Sequence, residues 1–282
     1  MPHQTTARVI ADSVSGEVRL TTIEVTFHRF VLAEFNTHRQ FSRNSASSRA
    51  IPVESQIKRL GDSPAFPISW PGEQPGMQGG SELTDDDLAD AVDLFNEVYQ
   101  FTLRAVEGYV DSHPDKSRRL HKSVLNRLLE PFMWHTVVVS STEWDNFFGL
   151  RCSPLAQPEI RVAAEIIRDV YNMSDPVSVP LAPSDGVSAP ENWHLPYVTD
   201  DERHTLSLDQ LQQISTARCT RVSSMHAGDI MDYEKDYRLF DTLTSSRPPH
   251  ASPLEHIATP CRESHRHGNF DGWHQLRHYP HH

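Results

Sequence analysis

Between Thr37 and Arg49 the chain reads Thr-His-Arg-Gln-Phe-Ser-Arg-Asn-Ser-Ala-Ser-Ser-Arg, with three arginines, one histidine, four serines, one asparagine and no carboxylate. The chemistry such a run suits is anion recognition. Arginine presents a planar fork of N–H donors that matches phosphate oxygens, and Ser and Asn supply uncharged donors for the remaining lone pairs. A formal net charge of -12 makes this local positive cluster stand out. The same composition also suits a solvated polar loop, and composition alone leaves both readings open. Two further segments carry candidate groups: Arg127-Leu128-Leu129-Glu130-Pro131, and Asn146-Phe147-Phe148-Gly149-Leu150-Arg151 followed by Ala156-Gln157-Pro158-Glu159-Ile160. Taken by itself, Arg151 is as readily half of a structural ion pair as a binding group.

Other chemistries find less support. Cys152, Cys219 and Cys261 are far apart and lack CxxC spacing, which argues against a disulfide framework or a zinc site and fits a reducing compartment. Pro260-Cys261 is followed by Arg262, with no basic or helix-capping context to lower a thiol pKa, so a nucleophilic cysteine is not expected. The tail histidines His265, His267, His274, His278, His281 and His282 have no carboxylate or cysteine framework at ligand spacing, and no metal site is expected. The acidic run Asp85 to Asp87 reads as a helix N-terminus rather than a magnesium site. Tyr233, Tyr237 and Phe240 read as core residues of a late helix rather than a cofactor stack.

These groups need elements to hold them. Leu20 to Val31 alternates, with Ile23, Val25 and Phe27 on one face and Thr22, Glu24, Thr26 and His28 on the other, which predicts a half-buried strand. A short helix over Leu32 to His38 would deliver the chain to the polar run. Pro and Gly crowd Asp62 to Gly80, which should be loop. Thr84 and Asp87 form a capping-box pattern, and Leu88, Val92, Phe95, Val98, Tyr99 and Val106 keep helical spacing to about Val110. A second helix is predicted over Ser117 to Leu129, stopped by Pro131. A strand is predicted over His135 to Ser141, and a helix over Glu159 to Tyr171 with Ile160, Ala163, Ala164 and Ile167 on one face. Asp175 to Pro190 is rich in Pro, Ser and Ala and is the best candidate linker. Helices near Ser207 to Ala217 and Tyr233 to Leu243 precede the histidine-rich tail.

With 282 residues, 37% of them hydrophobic and 23% charged, the chain is globular rather than disordered. Its acidity disfavours broad binding to nucleic acid or an anionic membrane. There is neither an apolar signal core nor a run of about 20 apolar residues, so a cytoplasmic protein is expected. The expected organisation is a core over 1–172, a Pro-rich linker over 173–192, and a segment over 193–282 that completes the same fold.

Together the blocks resemble the flavin-dependent thymidylate synthases. The signature of that family is His-Arg, seven residues, Ser, and Arg two positions later; His38, Arg39, Ser42, Asn44, Ser47 and Arg49 fall on it. Its opening Arg is here Thr37, the Gln before that is Glu34, and the motif's acidic residue is Ser45. The resemblance implies that His38, Arg39 and Asn146 hold the flavin. It implies that Ser47, Arg49 and Arg127 hold the nucleotide, and that Arg151 binds the uracil and stabilises charge developing as C5 becomes nucleophilic. Ala217-Arg218-Cys219-Thr220-Arg221-Val222-Ser223 and Ser252-Pro253-Leu254-Glu255-His256 resemble family segments that usually precede the His-Arg motif, with Ser223 on flavin phosphate and His256 beside the flavin. Here they follow it, so the segment order is permuted. Phe270 to Arg277 resembles the approach to the motif itself, and Gln275 (nucleotide) and Arg277 (flavin) are expected to supply the Gln and Arg missing at Glu34 and Thr37.

The resemblance implies a mixed α/β (α+β) fold, a curved sheet with helices on one side and a helical region on the other. It also implies a homotetramer with active sites between subunits, where a permuted order is tolerable. The implied reaction is C5-methylation of a uracil nucleotide with FAD, NADPH and 5,10-methylenetetrahydrofolate, in which the flavin does the redox chemistry while the protein orients rings. The substrate is dUMP or, as in polyoxin-type UMP methylases of nucleoside-antibiotic assembly, UMP; Glu34 could accept a hydrogen bond from a ribose 2′-OH. Alternatives are a uridylate C5-hydroxymethylase and a non-catalytic nucleotide- or RNA-binding protein.

Overall fold

A computed structural model of the chain describes residues 5–183, 188–222, 232–262 and 266–279. Strands β1 (Thr6–Ser15) and β2 (Val18–His28) form an antiparallel hairpin through Gly16, whose φ of +59° carries no Cβ penalty in glycine. The alternation that begins at Leu20 is β2; it stops at His28 because Arg29–Val31 close into a 3-10 turn. The predicted short helix is α1 (Leu32–Asn36), ending before His38. The polar run is not a loop throughout. Ser42–Ser45 form β3, which pairs antiparallel with β4 (Trp134–Ser141). These residues have weak strand propensity, and the pairing with β4 overrides it. With the short β5 (Val177–Ser178), drawn from the stretch read as linker and parallel to β1, the sheet order is β3-β4-β2-β1-β5.

One sheet face is apolar. Ile23, Val25 and Phe27 of β2 and Val137 and Val139 of β4 pack on α5 (Asp145–Arg151) and α6 (Pro158–Met173). Ile160, Ala163, Ala164 and Ile167 are the buried face of α6, as their spacing predicts. Each large apolar side chain buried here contributes about 1.5–3 kcal/mol, which makes this layer the main anchor of the sheet.

At the His28 end a helical layer joins α2 (Val53–Asp62), which sequence reading missed, to α3 (Asp85–Ser112) and α4 (Lys122–Leu129) around Leu60, Tyr99, Val106 and Leu125. Thr84 occupies the α3 N-cap, but its side chain makes no capping bond, so the predicted box does not form. The helix predicted from Ser117 is broken in two. Asp115 caps a 3-10 turn over Lys116–Arg118, and His121 caps α4 separately.

The other face of β2 was expected to be solvated; it is covered. The chain beyond Pro190 contributes α7 (Asp200–Thr205), α8 (Leu208–Thr220), α9 (Tyr233–Ser245), a pair β6 (Ala258–Pro260) with β9 (Trp273–Gln275), and a pair β7 (Arg266–His267) with β8 (Phe270–Asp271). Phe270, Trp273 and Ala258 pack on Leu20, and Cys219 and Val222 on Val138. On α9 the core reading holds for Phe240, which packs against the cluster around Leu211 and Leu254, and needs correction for Tyr233 and Tyr237. Tyr233 is exposed and Tyr237 and Phe240 are half-buried, because the buried face is Asp236 and Leu243. Asp236 turns inward to pair with Arg218 of α8 and Arg221 just past its end.

Candidate functional site

The edge strand β3 is the spine of the candidate site, and its two-residue period sorts the motif into two sets. Ser42 and Asn44 face the C-terminal segment. Ser42 Oγ accepts from Gln275 Nε2 at 2.9 Å and Asn269 Nδ2 at 3.1 Å, and Asn44 Nδ2 donates to the Cys219 carbonyl at 2.8 Å. Gly268 makes the first contact possible: its φ is +66°, and a Cβ there would lie 2.4 Å from Gln275 Oε1. Arg43 faces the other way, where its guanidinium donates to the Phe35 carbonyl at 3.4 Å and its charge bears on His38.

That second set is tied together by Arg151, in the last turn of α5. Its Nε donates to His38 Nε2 at 2.9 Å, and Nη2 donates to Thr37 Oγ1 at 2.9 Å and the Glu34 carbonyl at 3.2 Å. His38 can accept because it is neutral. Burial, then the charges of Arg151 and Arg43, push its pKa down to about 4. The ring also meets Phe147 edge-on at 4.9 Å, which fixes its plane. Beside this cluster, Glu34 Oε2 is buried without a hydrogen-bond partner. Arg39 and Asn146 are exposed.

The run continues from β3 to Ser47, which lines a cavity of about 450 Å³ on the polar face of the sheet, together with Thr26, Arg29, Arg59, Trp134 and His135. That volume suits a small ligand. Arg29 donates to Glu130 at 3.1 Å and to His135 Nδ1 at 2.9 Å, and Ser48 also donates to Glu130. Burial and then Arg29 push the His135 pKa down to about 3, so its ring accepts from the guanidinium. The Trp134 indole N–H has no partner. Arg49 is exposed beyond Ser47. Arg127 does not line this cavity: it overlooks a shallower hollow with Ala33 and Asn36, its guanidinium 4.0 Å from Glu130.

The C-terminal candidates divide. Gln275 is buried on Ser42, whereas Arg277 is half-exposed and pairs with Glu255. His256 is fully buried; Nδ1 meets Ser140 Oγ at 2.8 Å and Nε2 has no partner. An unpaired buried polar atom costs about 1–3 kcal/mol unless a water or a ligand group meets it. That atom is a polar partner of the kind a flavin ring edge takes, and Arg39 and Asn146 are exposed donors of the kind its phosphates take, but none of the three lines either hollow described above. Ser223 lies outside the described residues. Arg218, in the same block, is structural. It is 2% exposed and donates to Glu202 at 2.6 and 2.8 Å. Burial works against the Glu202 carboxylate, but hydrogen bonds from Arg218 and Thr199 hold it below its usual range.

Other chemistries gain nothing. Burial raises the Cys152 and Cys219 thiol pKa values. His267 and His274 contact each other at 2.9 Å, yet among the described residues no group of three or more His, Cys, Asp or Glu could hold a metal. His265, His281 and His282 lie outside the described residues. Among the described residues no helix is long and apolar enough to cross a membrane. Sequence reading missed Arg29 and His135, neither of which stands in a motif, and gave no role to Glu130, although it stands inside the Arg127 block.

The family model described as Thymidylate synthase complementing protein, Thy1, matches residues 14–177. Among solved structures the chain is similar to a UMP/dUMP methylase, PolB, from Streptomyces cacaoi. The form bound with 5-Br UMP shows 16% identity and a TM-score of 0.49, over 60% of this chain and 89% of that one. The form bound with 5-Br dUMP shows 16% identity and a TM-score of 0.48, over 60% and 90%. No curated protein matches.

Proposed function

The chain belongs to the Thy1 family of thymidylate synthase complementing proteins, and from that premise we propose that it methylates C5 of a uracil nucleotide in a flavin-dependent reaction. The observation that carries this reading is Arg151. It joins the His-Arg motif to α5 through His38, Thr37 and the Glu34 backbone, and the same Glu34 has a side-chain oxygen, Oε2, that is buried and unpartnered. A fixed guanidinium there would hold the uracil and oppose negative charge as C5 becomes nucleophilic. Ser47, Arg49 and Arg127 would take the phosphate, with Gln275 and Glu34 toward the base and sugar. His38, Arg39, Asn146, Ser223, His256 and Arg277 would hold FAD. Bound flavin would supply the redox chemistry, with NADPH as reductant and methylenetetrahydrofolate as one-carbon donor.

The unpartnered Glu34 carboxylate oxygen favours an acceptor role toward a ribose 2′-OH, and hence UMP over dUMP. A homotetramer with active sites between subunits, in the cytoplasm, completes the reading. The permuted order is compatible with it, because Gln275 and His256 reach the sheet from the far end of the chain.

The test is an anaerobic turnover with FAD, NADPH and methylenetetrahydrofolate, offering UMP and dUMP together and reading products by mass. A methylated nucleotide is the expected product. A hydroxymethyl product would correct the reaction, and a protein that takes up no FAD would overturn it in favour of a nucleotide-binding role. Flavin and nucleotide binding unchanged in both Gln275→Ala and Arg277→Ala would remove those two residues from the site.

A further inference from the structure

Five buried side chains on the covered face of the sheet form one line of hydrogen bonds. Ser13 Oγ meets His194 Nδ1 at 2.8 Å, and His194 Nε2 meets Thr22 Oγ1 at 2.7 Å. Thr22 Oγ1 meets Ser140 Oγ at 2.5 Å, directly across the β2–β4 pairing, and Ser140 Oγ meets His256 Nδ1 at 2.8 Å. Thr22, Ser140, His194 and His256 have no solvent exposure, and Ser13 has 5%. The line ends at His256 Nε2, the atom without a partner.

Each inner member of this line has one proton to give and one acceptor to offer, provided both imidazoles are neutral. Burial keeps them so, pushing both pKa values down to about 3. Two arrangements then satisfy every link. In one, His256 Nδ1–H donates to Ser140, Ser140 to Thr22, Thr22 to His194 Nε2, and His194 Nδ1–H to Ser13; His256 Nε2 is then a bare lone pair. In the other every hydrogen bond runs the opposite way, from the Ser13 hydroxyl to His256 Nδ1, and His256 Nε2 carries the proton. If the two rings adopt opposite tautomers, Thr22 and Ser140 either both accept from imidazole, which leaves one hydroxyl proton without an acceptor in the line, or both donate to it, which leaves no proton for the link between them; in a buried site either is costly.

We propose that Ser13, His194, Thr22, Ser140 and His256 form a single two-state proton chain, and that His194 is a positioning residue. Through this chain it sets whether His256 Nε2 offers a proton or a lone pair to a bound flavin. The flavin end rests on the reading of His256 given above; the chain itself does not. A ligand atom that accepts selects one sense, a ligand N–H selects the other, and no net charge has to be buried in either case.

The experiment reads ¹⁵N signals of protein labelled at the histidine ring nitrogens, with His194→Gln and His256→Gln assigning the two rings. In flavin-free wild type both rings should carry the proton on the same nitrogen, and adding FAD should move both signals together. Thr22→Val keeps the shape and removes the middle hydroxyl, so FAD should then move His256 alone, and Thr22→Ser should restore the joint response. Ser140→Ala breaks the next link and should leave His194 unresponsive, which keeps the test decisive if Thr22→Val does not fold. Opposite tautomers in the wild type, or a joint response that survives Thr22→Val and Ser140→Ala, would overturn the chain. FAD binding is followed separately by flavin fluorescence. Its absence would sink the flavin reading of His256 while the tautomers of the free protein still decide the chain.

Discussion

At the scale of the residue, the site depends on donors held in place more than on charge. Arg151 makes three directed contacts, to His38, Thr37 and the Glu34 carbonyl, and a lysine cannot reproduce that fork. Arg151→Lys should therefore keep the protein folded and lower kcat/KM by about 10²–10³, the usual cost of one preorganised donor to a developing negative charge. An unchanged value in steady-state assays would remove Arg151 from the reaction. Glu34 is a test of selectivity rather than rate: Glu34→Gln should shift the UMP-to-dUMP ratio of kcat/KM toward dUMP, and an unchanged ratio sinks its 2′-OH role. The donor-rich run was legible because residue type is visible in a sequence. The division of labour within it was not. That Ser42 looks to Gln275 while Arg43 lies by His38 follows from the run being a strand, and Ser-Arg-Asn-Ser has little strand propensity of its own.

At the scale of the element, the fold buries five imidazoles among the described residues, His28 and four others, and burial lowers the pKa of each. His38, His135, His194 and His256 have pKa values pushed down to about 4, 3, 3 and 3. The unfolded chain takes up their protons as pH falls through about 6.5, whereas the folded chain does not until near 4. Stability should thus be insensitive to these groups above pH 7 and fall steadily from about pH 6.5 to 4. Urea midpoints at a series of pH values read this directly, and a flat profile across that window would mean the rings are not buried neutral. The α8 arginine offers a second measurement at this scale. Arg218→Leu leaves Glu202 and Asp236 without their shared cation, and breaking a buried ion pair typically costs about 3–5 kcal/mol. An equilibrium unfolding free energy that drops by less than about 1 kcal/mol, the range of an exposed pair, would contradict that burial. The helices and central strands were legible from their periods, because a repeated apolar spacing is a local signal. The cover over Thr22 and Ser140 was not. It comes from residues beyond Pro190, and a strand with hydroxyls on one face reads the same whether that face meets water or a distant part of its own chain. Calling β2 half-buried follows from that ambiguity, as does missing His194.

At the scale of the whole molecule, the groups proposed to grip one nucleotide do not share one hollow. Ser47 lines the cavity on the polar face, whereas Arg127 overlooks a separate hollow beyond the Arg29–Glu130 pair. Arg39, Arg49 and Asn146 are exposed in the single chain. Leu94, Val98 and Phe101 form an apolar stripe along α3 that is 64%, 47% and 70% exposed, with Val124 and Leu128 also bare on α4. If one nucleotide uses both Ser47 and Arg127, two copies of the chain supply them, in keeping with the proposed homotetramer. Complementation between inactive variants tests this. Ser47→Ala and Arg127→Ala should each be nearly inactive alone. Suppose each site takes its Ser47 from one chain and its Arg127 from another. Random pairing of equal amounts then makes half the dimers mixed, each with one of its two sites intact, so activity should recover to about one quarter of wild type. Mixing after co-refolding, with the assembly state followed by sedimentation, separates this from simple dilution. Recovery would mean that the permuted chain builds its site across a symmetry axis. No recovery from subunits seen to exchange would mean that each chain closes its own site, and that the nucleotide bridges the Arg29–Glu130 pair instead.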